Sequence, residues 1–177
     1  MKVVKIVLWS LLALFVVGLG GTYAYFATRP PTGEFVVLGP GKPVTVSVDG
    51  GPPIEITAKG RHAETLPLGT HAIKVLAPDA REVSFEVQER KTTIVPVLSP
   101  QCFATLDVTM SHYEVAGDSR APRLAGVKTA DAPFVLTPGH HTSMAALPKR
   151  RTSGASVLVL RSATCEEIAA LAKADDG

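Results

Sequence analysis

From Val44 onward, apolar and polar positions alternate with period two. Val44, Val46 and Val48 fall on one face, with Thr45 and Ser47 on the other. Asp49-Gly50-Gly51-Pro52-Pro53 is a turn signal, after which Ile54-Glu55-Ile56-Thr57 resumes the alternation. Leu66-Pro67-Leu68-Gly69 predicts the next turn and leads into a strand over Thr70–Ala77. In REVSFEVQ, Val83, Phe85 and Val87 alternate with Glu82, Ser84, Glu86 and Gln88. Glu89-Arg90-Lys91 turns the chain into TTIVPVL. Strands separated by turns at roughly 8–12-residue intervals predict an antiparallel sandwich or barrel.

The pattern before this region is different. Ile6–Thr28 is an uninterrupted run of 23 uncharged residues. As a helix it would reach about 35 Å, enough to cross a hydrocarbon core of about 30 Å. Trp9 near one end and Tyr23 and Tyr25 near the other suit the two membrane interfaces. Lys2 and Lys5 put the N-terminus in the cytoplasm and the remainder outside, as a single-pass protein of a bacterial inner membrane with a periplasmic C-terminal part. A cleaved signal peptide is the alternative, although this run exceeds the usual 7–15 apolar residues and Thr22-Tyr23-Ala24 is a poor cleavage site. Gly20, Ala24 and Thr28, four apart, are candidates for close helix–helix packing in the bilayer.

The expected organisation is a cytoplasmic tail (1–5), a transmembrane helix (6–28), a Pro/Gly-rich linker (29–43), a β domain (44–98) and a second β unit with a C-terminal helix (99–177). Within the linker, Phe35, Val36, Val37 and Leu38 could add an edge strand, and they are the candidate partner contact. Residues 116–132 read as a long loop and a further contact candidate; PKRRTSG at 148–154 reads as a hairpin tip. Phe103–Met110, Pro133–Thr137, His140–Leu147 and Ala155–Arg161 are the remaining strand candidates. Thr164-Cys165-Glu166-Glu167 matches a capping box, with Ile168, Leu171 and Ala172 as the apolar face of a short helix. Leu66, Gly69 and His71 match Leu136, Gly139 and His141, which suggests either a duplication with an insertion or a chance likeness.

Charge and composition sharpen this division. Lys2, Lys5 and Arg29 flank the apolar run, and without them 15 basic and 16 acidic residues leave the remainder near neutral. No basic face for nucleic acid is expected. All 14 prolines lie between Pro30 and Pro148, which disfavours a helical bundle. Cys102 and Cys165 are the only cysteines, and an exported location favours a disulfide over a reactive thiol.

Val44–Leu98 resembles the PEGA domain, a small β-module of bacterial and archaeal envelope proteins. The likeness rests on VTVSVDG, LPLGTHAIKVLAP and REVSFEVQERKTTIVPVL. A looser second copy would span 103–161, and Pro78-Asp79-Ala80-Arg81 departs from the family's usual Pro-Gly-Tyr. The resemblance implies a non-enzymatic interaction module. The expected fold is therefore mainly β: an N-terminal transmembrane helix, one or two small antiparallel β-sandwich units and a short C-terminal helix.

Signals of chemistry are sparse. His140 and His141 are adjacent and would point to opposite faces of a strand; His112 has Asp107 and Glu114 nearby, but no close ligand pair supports a metal site. There is no Gly-x-Ser-x-Gly, P-loop, dinucleotide fingerprint or haem-attachment motif. The expectation is no catalytic site, cofactor or metal. The protein is read as a membrane-anchored scaffold or accessory subunit of an envelope complex, meeting the bilayer through 6–28 and other membrane proteins outside it, as a homo- or hetero-oligomer. A glycan- or peptidoglycan-binding module is the alternative, and it lacks an obvious aromatic platform because Tyr113 is the one Tyr or Trp after the apolar run.

Overall fold

The structure is a computed structural model that describes residues 14–23, 30–109, 122–147 and 156–175. The chain divides into two units, 1–31 and 32–177. In the first, residues 14–23 are helical and exposed. Gly20 lies there with open space around it, while Ala24, Thr28 and most of the 6–28 run lie outside the described residues. Among the described residues no helix is long and apolar enough to cross a membrane.

Residues 32–177 are mainly β, and each of three sheets has four strands. The first sheet holds the expected alternating strands: β2 (Val44–Val48), β3 (Ile54–Ile56), β5 (Gly69–Ala77) and β6 (Arg81–Val87), in the order β3-β2-β5-β6 and all antiparallel. Asp49 and Gly50 take the positive φ angles of +47° and +74° that a tight turn after β2 requires. The second sheet runs β10-β7-β1-β4, from β1 (Thr32–Leu38), β4 (Arg61–Pro67), β7 (Thr92–Ile94) and β10 (Phe134–Val135). The third runs β11-β12-β8-β9, from β8 (Gln101–Asp107), β9 (Arg123–Ala130), β11 (His140–His141) and β12 (Leu158–Ala163).

The linker expectation is corrected by β1. It pairs antiparallel with β4 on one side and parallel with β7 on the other, so it is a central strand. Phe35 and Val37 pack with Val46, Ile73, Phe85 and Val95 against the first sheet. Val36 and Leu38 point the other way, to Ile94, Phe103 and Leu160 against the third. Phe35, Val36 and Val37 are 0 % exposed, which leaves no surface there for a partner. A strand buried on both faces reads as a continuous apolar run, and FVVL is such a run. Burial of side chains this size is worth about 1.5–3 kcal/mol each.

The layers are thus first sheet, second sheet, third sheet and then α1 (Cys165–Asp175), whose Ile168 packs on Cys102 and Ala104 of β8. The expected loop at 116–132 is corrected in its later part, because 123–130 is β9 and pairs along β8; residues 110–121 and 148–155 lie outside the described residues. Phe134 of β10 meets Phe103 edge-on with ring centroids 5.4 Å apart. Residues from the expected second unit therefore complete the second sheet. The shared Leu-x-x-Gly-x-His segments open unlike strands: β5 pairs antiparallel with β2, whereas β11 pairs parallel with β12, which separates it from β8.

Candidate functional site

Three polar devices hold the layers in place. Gln101, 1 % exposed, sits where the second and third sheets meet. Its Oε1 accepts from the Val97 and Leu98 amides at 2.7 and 3.3 Å, and its Nε2 donates to the Leu38 carbonyl at 3.0 Å and Ser162 Oγ at 2.8 Å. The side chain thus spends its full hydrogen-bonding capacity on three separate segments. Cys102 and Cys165 form a disulfide with Cα atoms 5.1 Å apart, as expected, joining the start of β8 to the first turn of α1. The capping box also forms: the Glu167 amide donates to Thr164 Oγ1 at 3.2 Å, and the Thr164 amide to Glu167 Oε2 at 3.0 Å. Those bonds from Thr164, the amide first, hold the Glu167 carboxyl below its ordinary value.

Asp49 and His71 form a fourth device. His71 Nδ1 donates to Asp49 Oδ2 at 2.6 Å and Nε2 donates to the Pro67 carbonyl at 2.9 Å, while the Ala72 amide donates to Asp49 Oδ1 at 2.9 Å. With both ring nitrogens donating, the imidazole is favoured as a cation. The hydrogen bond to Asp49 raises the His71 pKa, and the Ala72 amide, followed by His71, lowers that of Asp49. The pair ties β5 to the turn after β2.

The other expected histidine positions do not converge. His62 on β4 lies against Phe35, with ring centroids 5.9 Å apart. His140 and His141 form the two-residue β11, and His112 lies outside the described residues. Among the described residues no three His, Cys, Asp or Glu side chains are placed to hold a metal ion.

What the fold does create is a groove of about 830 Å³ beside β12. Its lining is mainly apolar: Leu106 and Leu160 from the third sheet, Ile168 and Leu171 from α1, and Met144 from a single 3₁₀ turn. Leu171 remains 50 % exposed although it shares the helix face of buried Ile168. Three cations also line it. Lys59 belongs to the turn into β4, Arg61 opens β4, and Arg161 extends from β12. Arg61 is anchored, with Nε donating to Thr142 Oγ1 at 2.9 Å and Nη2 pairing with Glu34 at 3.2 Å. Lys59 and Arg161 make no ion pair among the described residues. Glu167 is the acidic residue of the lining, and its carboxylate is committed to the helix cap.

The groove follows an open strand edge. β11 pairs with β12 only at Leu158 and Val159, whereas β8 pairs with it from Leu158 to Ala163. The Leu158 amide donates to the Gly139 carbonyl on the β11 side. Main-chain groups alternate along a strand, so Leu160 and Ser162 turn toward that same side. Past the His141–Val159 pair, the Leu160 carbonyl and both main-chain groups of Ser162 face the groove with no strand beside them among the described residues.

Sequence reasoning missed this site because its residues come from six separated segments. Leu171 was the one visible clue, as the end of an apolar helix face with more surface than a single packed turn can cover. No family model matches the chain, and comparisons with curated proteins and with solved structures likewise return no match.

Proposed function

We propose that the protein is a membrane-anchored interaction module, with residues 6–28 as the anchor and 32–177 as an extracytoplasmic β body acting as scaffold or accessory subunit in an envelope complex. The observation that carries this reading is the apolar groove at β12, rimmed by cations and left open beside sheets whose cores are closed against one another. An exposed apolar recess with a charged rim is the usual form of a protein contact surface. The uncharged run Ile6–Thr28 with lysines before it supports the anchor, and the resemblance of 44–98 to the PEGA domain belongs to the same reading.

The test uses the full-length chain expressed in its native membrane. It should stay with the membrane through an alkaline wash and co-purify in mild detergent with a stoichiometric membrane partner, and Leu171→Asp should release that partner without lowering the amount of folded protein. A chain that washes off the membrane, or whose assembly is indifferent to Leu171→Asp, would overturn the proposal.

A further inference from the structure

The groove and the open edge coincide, and this says more about the occupant than either does alone. A purely apolar ligand would fill the groove but leave the Leu160 carbonyl and the Ser162 amide and carbonyl buried and unpaired under it, which opposes binding. An extended peptide satisfies them. We infer that the groove binds a partner segment in the β conformation, added beside β12 where β11 stops, with apolar side chains directed into the groove and acidic residues meeting Lys59 and Arg161. This rests on the interaction-module reading and names the chemistry of its partner.

Several features favour this occupant. The strand position is already begun by His140 and His141, whose parallel pairing with Leu158 and Val159 sets the plane in which an incoming segment continues the sheet. The lining supplies the apolar contacts through Leu106, Met144 and Leu171. Lys59 and Arg161, neither in an ion pair among the described residues, stand at the same groove, and the carboxylate of Glu167 is held by Thr164. That complementarity selects an acidic segment. A second copy of this chain fits less well, because symmetric pairing of β12 with itself centred on Arg161 sets that cation opposite its own copy and supplies no acidic residue to it. Two of the other long edges are more heavily charged than β12, whose one charged residue is Arg161. β4 ends in Pro67 and presents Arg61 and Glu64, and β6 carries Glu82 and Glu86.

The experiment uses the full-length chain in lipid nanodiscs, which leave the groove free of detergent. The probe is a fluorescein-labelled peptide of about seven residues, alternating valine and threonine with glutamate at both ends, read by fluorescence anisotropy. Saturable binding is expected, weaker by about tenfold or more when lysines replace the glutamates. N-methylation of alternate amides, which leaves the side chains in place but blocks strand pairing, should abolish binding. Lys59→Glu, on an exposed turn, should weaken the glutamate peptide severalfold without changing the melting temperature, and Ser162→Pro should abolish binding. Because Ser162→Pro can disturb β12 itself, Lys59→Glu and the methylated peptide carry the decision if that variant misfolds.

Equal binding of the methylated and unmethylated peptides would show an amphiphile site without strand pairing and overturn the inference. Absence of saturable binding, or self-association of the chain lost in Lys59→Glu, would also overturn it. If the peptide fails while Leu171→Asp still releases a membrane partner, the interaction-module reading stands and strand addition alone falls. If Leu171→Asp releases nothing, the reading itself falls.

Discussion

β1 and β12 are both short strands rich in branched apolar residues, yet they meet opposite fates. β1 is flanked by β4 and β7 and covered by a sheet on each face, so Phe35, Val36 and Val37 lose all contact with solvent. β12 is flanked fully on one side only, and its second half borders a groove. The contrast teaches that an edge is a property of neighbours. A strand's own residues say how much apolar surface it must bury, and the chain elsewhere decides whether anything arrives to cover its main chain.

The comparison is broken most severely by charging β1. Val36→Asp places a carboxylate between Ile94, Phe103 and Leu160, where no partner is available. A loss above about 5 kcal/mol is expected, seen as an unfolded chain by circular dichroism. Gln101→Leu comes next, because it strands the Val97 and Leu98 amides and the Leu38 carbonyl at the junction that keeps β1 beside the third sheet. A destabilisation of about 4 kcal/mol is expected in urea titration, and a near-neutral result would show that the junction does not depend on this side chain.

A smaller effect comes from the Asp49–His71 pair, which lies in the closed half of the molecule. The His71 pKa is raised above its ordinary 6.5, so its contribution is complete below pH 6.5 and fades as pH rises through the higher folded value. The Asp49 pKa is lowered from 3.8, so its contribution is complete above that and fades as pH falls through the lower folded value. Stability from the pair is therefore greatest between those two ordinary values. Asp49 is about half exposed, and solvent keeps the effect below about 1 kcal/mol. His71→Gln should flatten the alkaline side of a melting-temperature profile, and an unchanged slope would count against the pair. The smallest effect is expected at the open edge. Arg161→Ser should alter stability by less than about 0.5 kcal/mol while weakening the glutamate peptide, which separates a binding residue from a structural one.

The alternating strands were readable because a strand with one buried face carries its own signature: β2, β5 and β6 lie where VTVSV, THAIKVLA and REVSFEV place them. The capping box and the disulfide were readable for similar reasons, one from local spacing and the other from the cysteine count. β4 and β9 were not. RHAETLP and RLAGVKTA have weak alternation, and they become strands because β1 and β8 offer unpaired main chain beside them. The groove was illegible for the same reason on a larger scale, since Lys59, Met144, Arg161 and Leu171 share no local pattern.

By itself the sequence determined the division at residue 29 between an uncharged run and a near-neutral β-rich body, the period-two strands, the helix cap and the cysteine pair. These depend on spacing within one segment or on simple counts. Only the tertiary structure decided that FVVL is a shared central strand and that β12 is left half open. Both follow from which strands become neighbours across long stretches of chain, and a continuous apolar run does not itself say which faces will be covered.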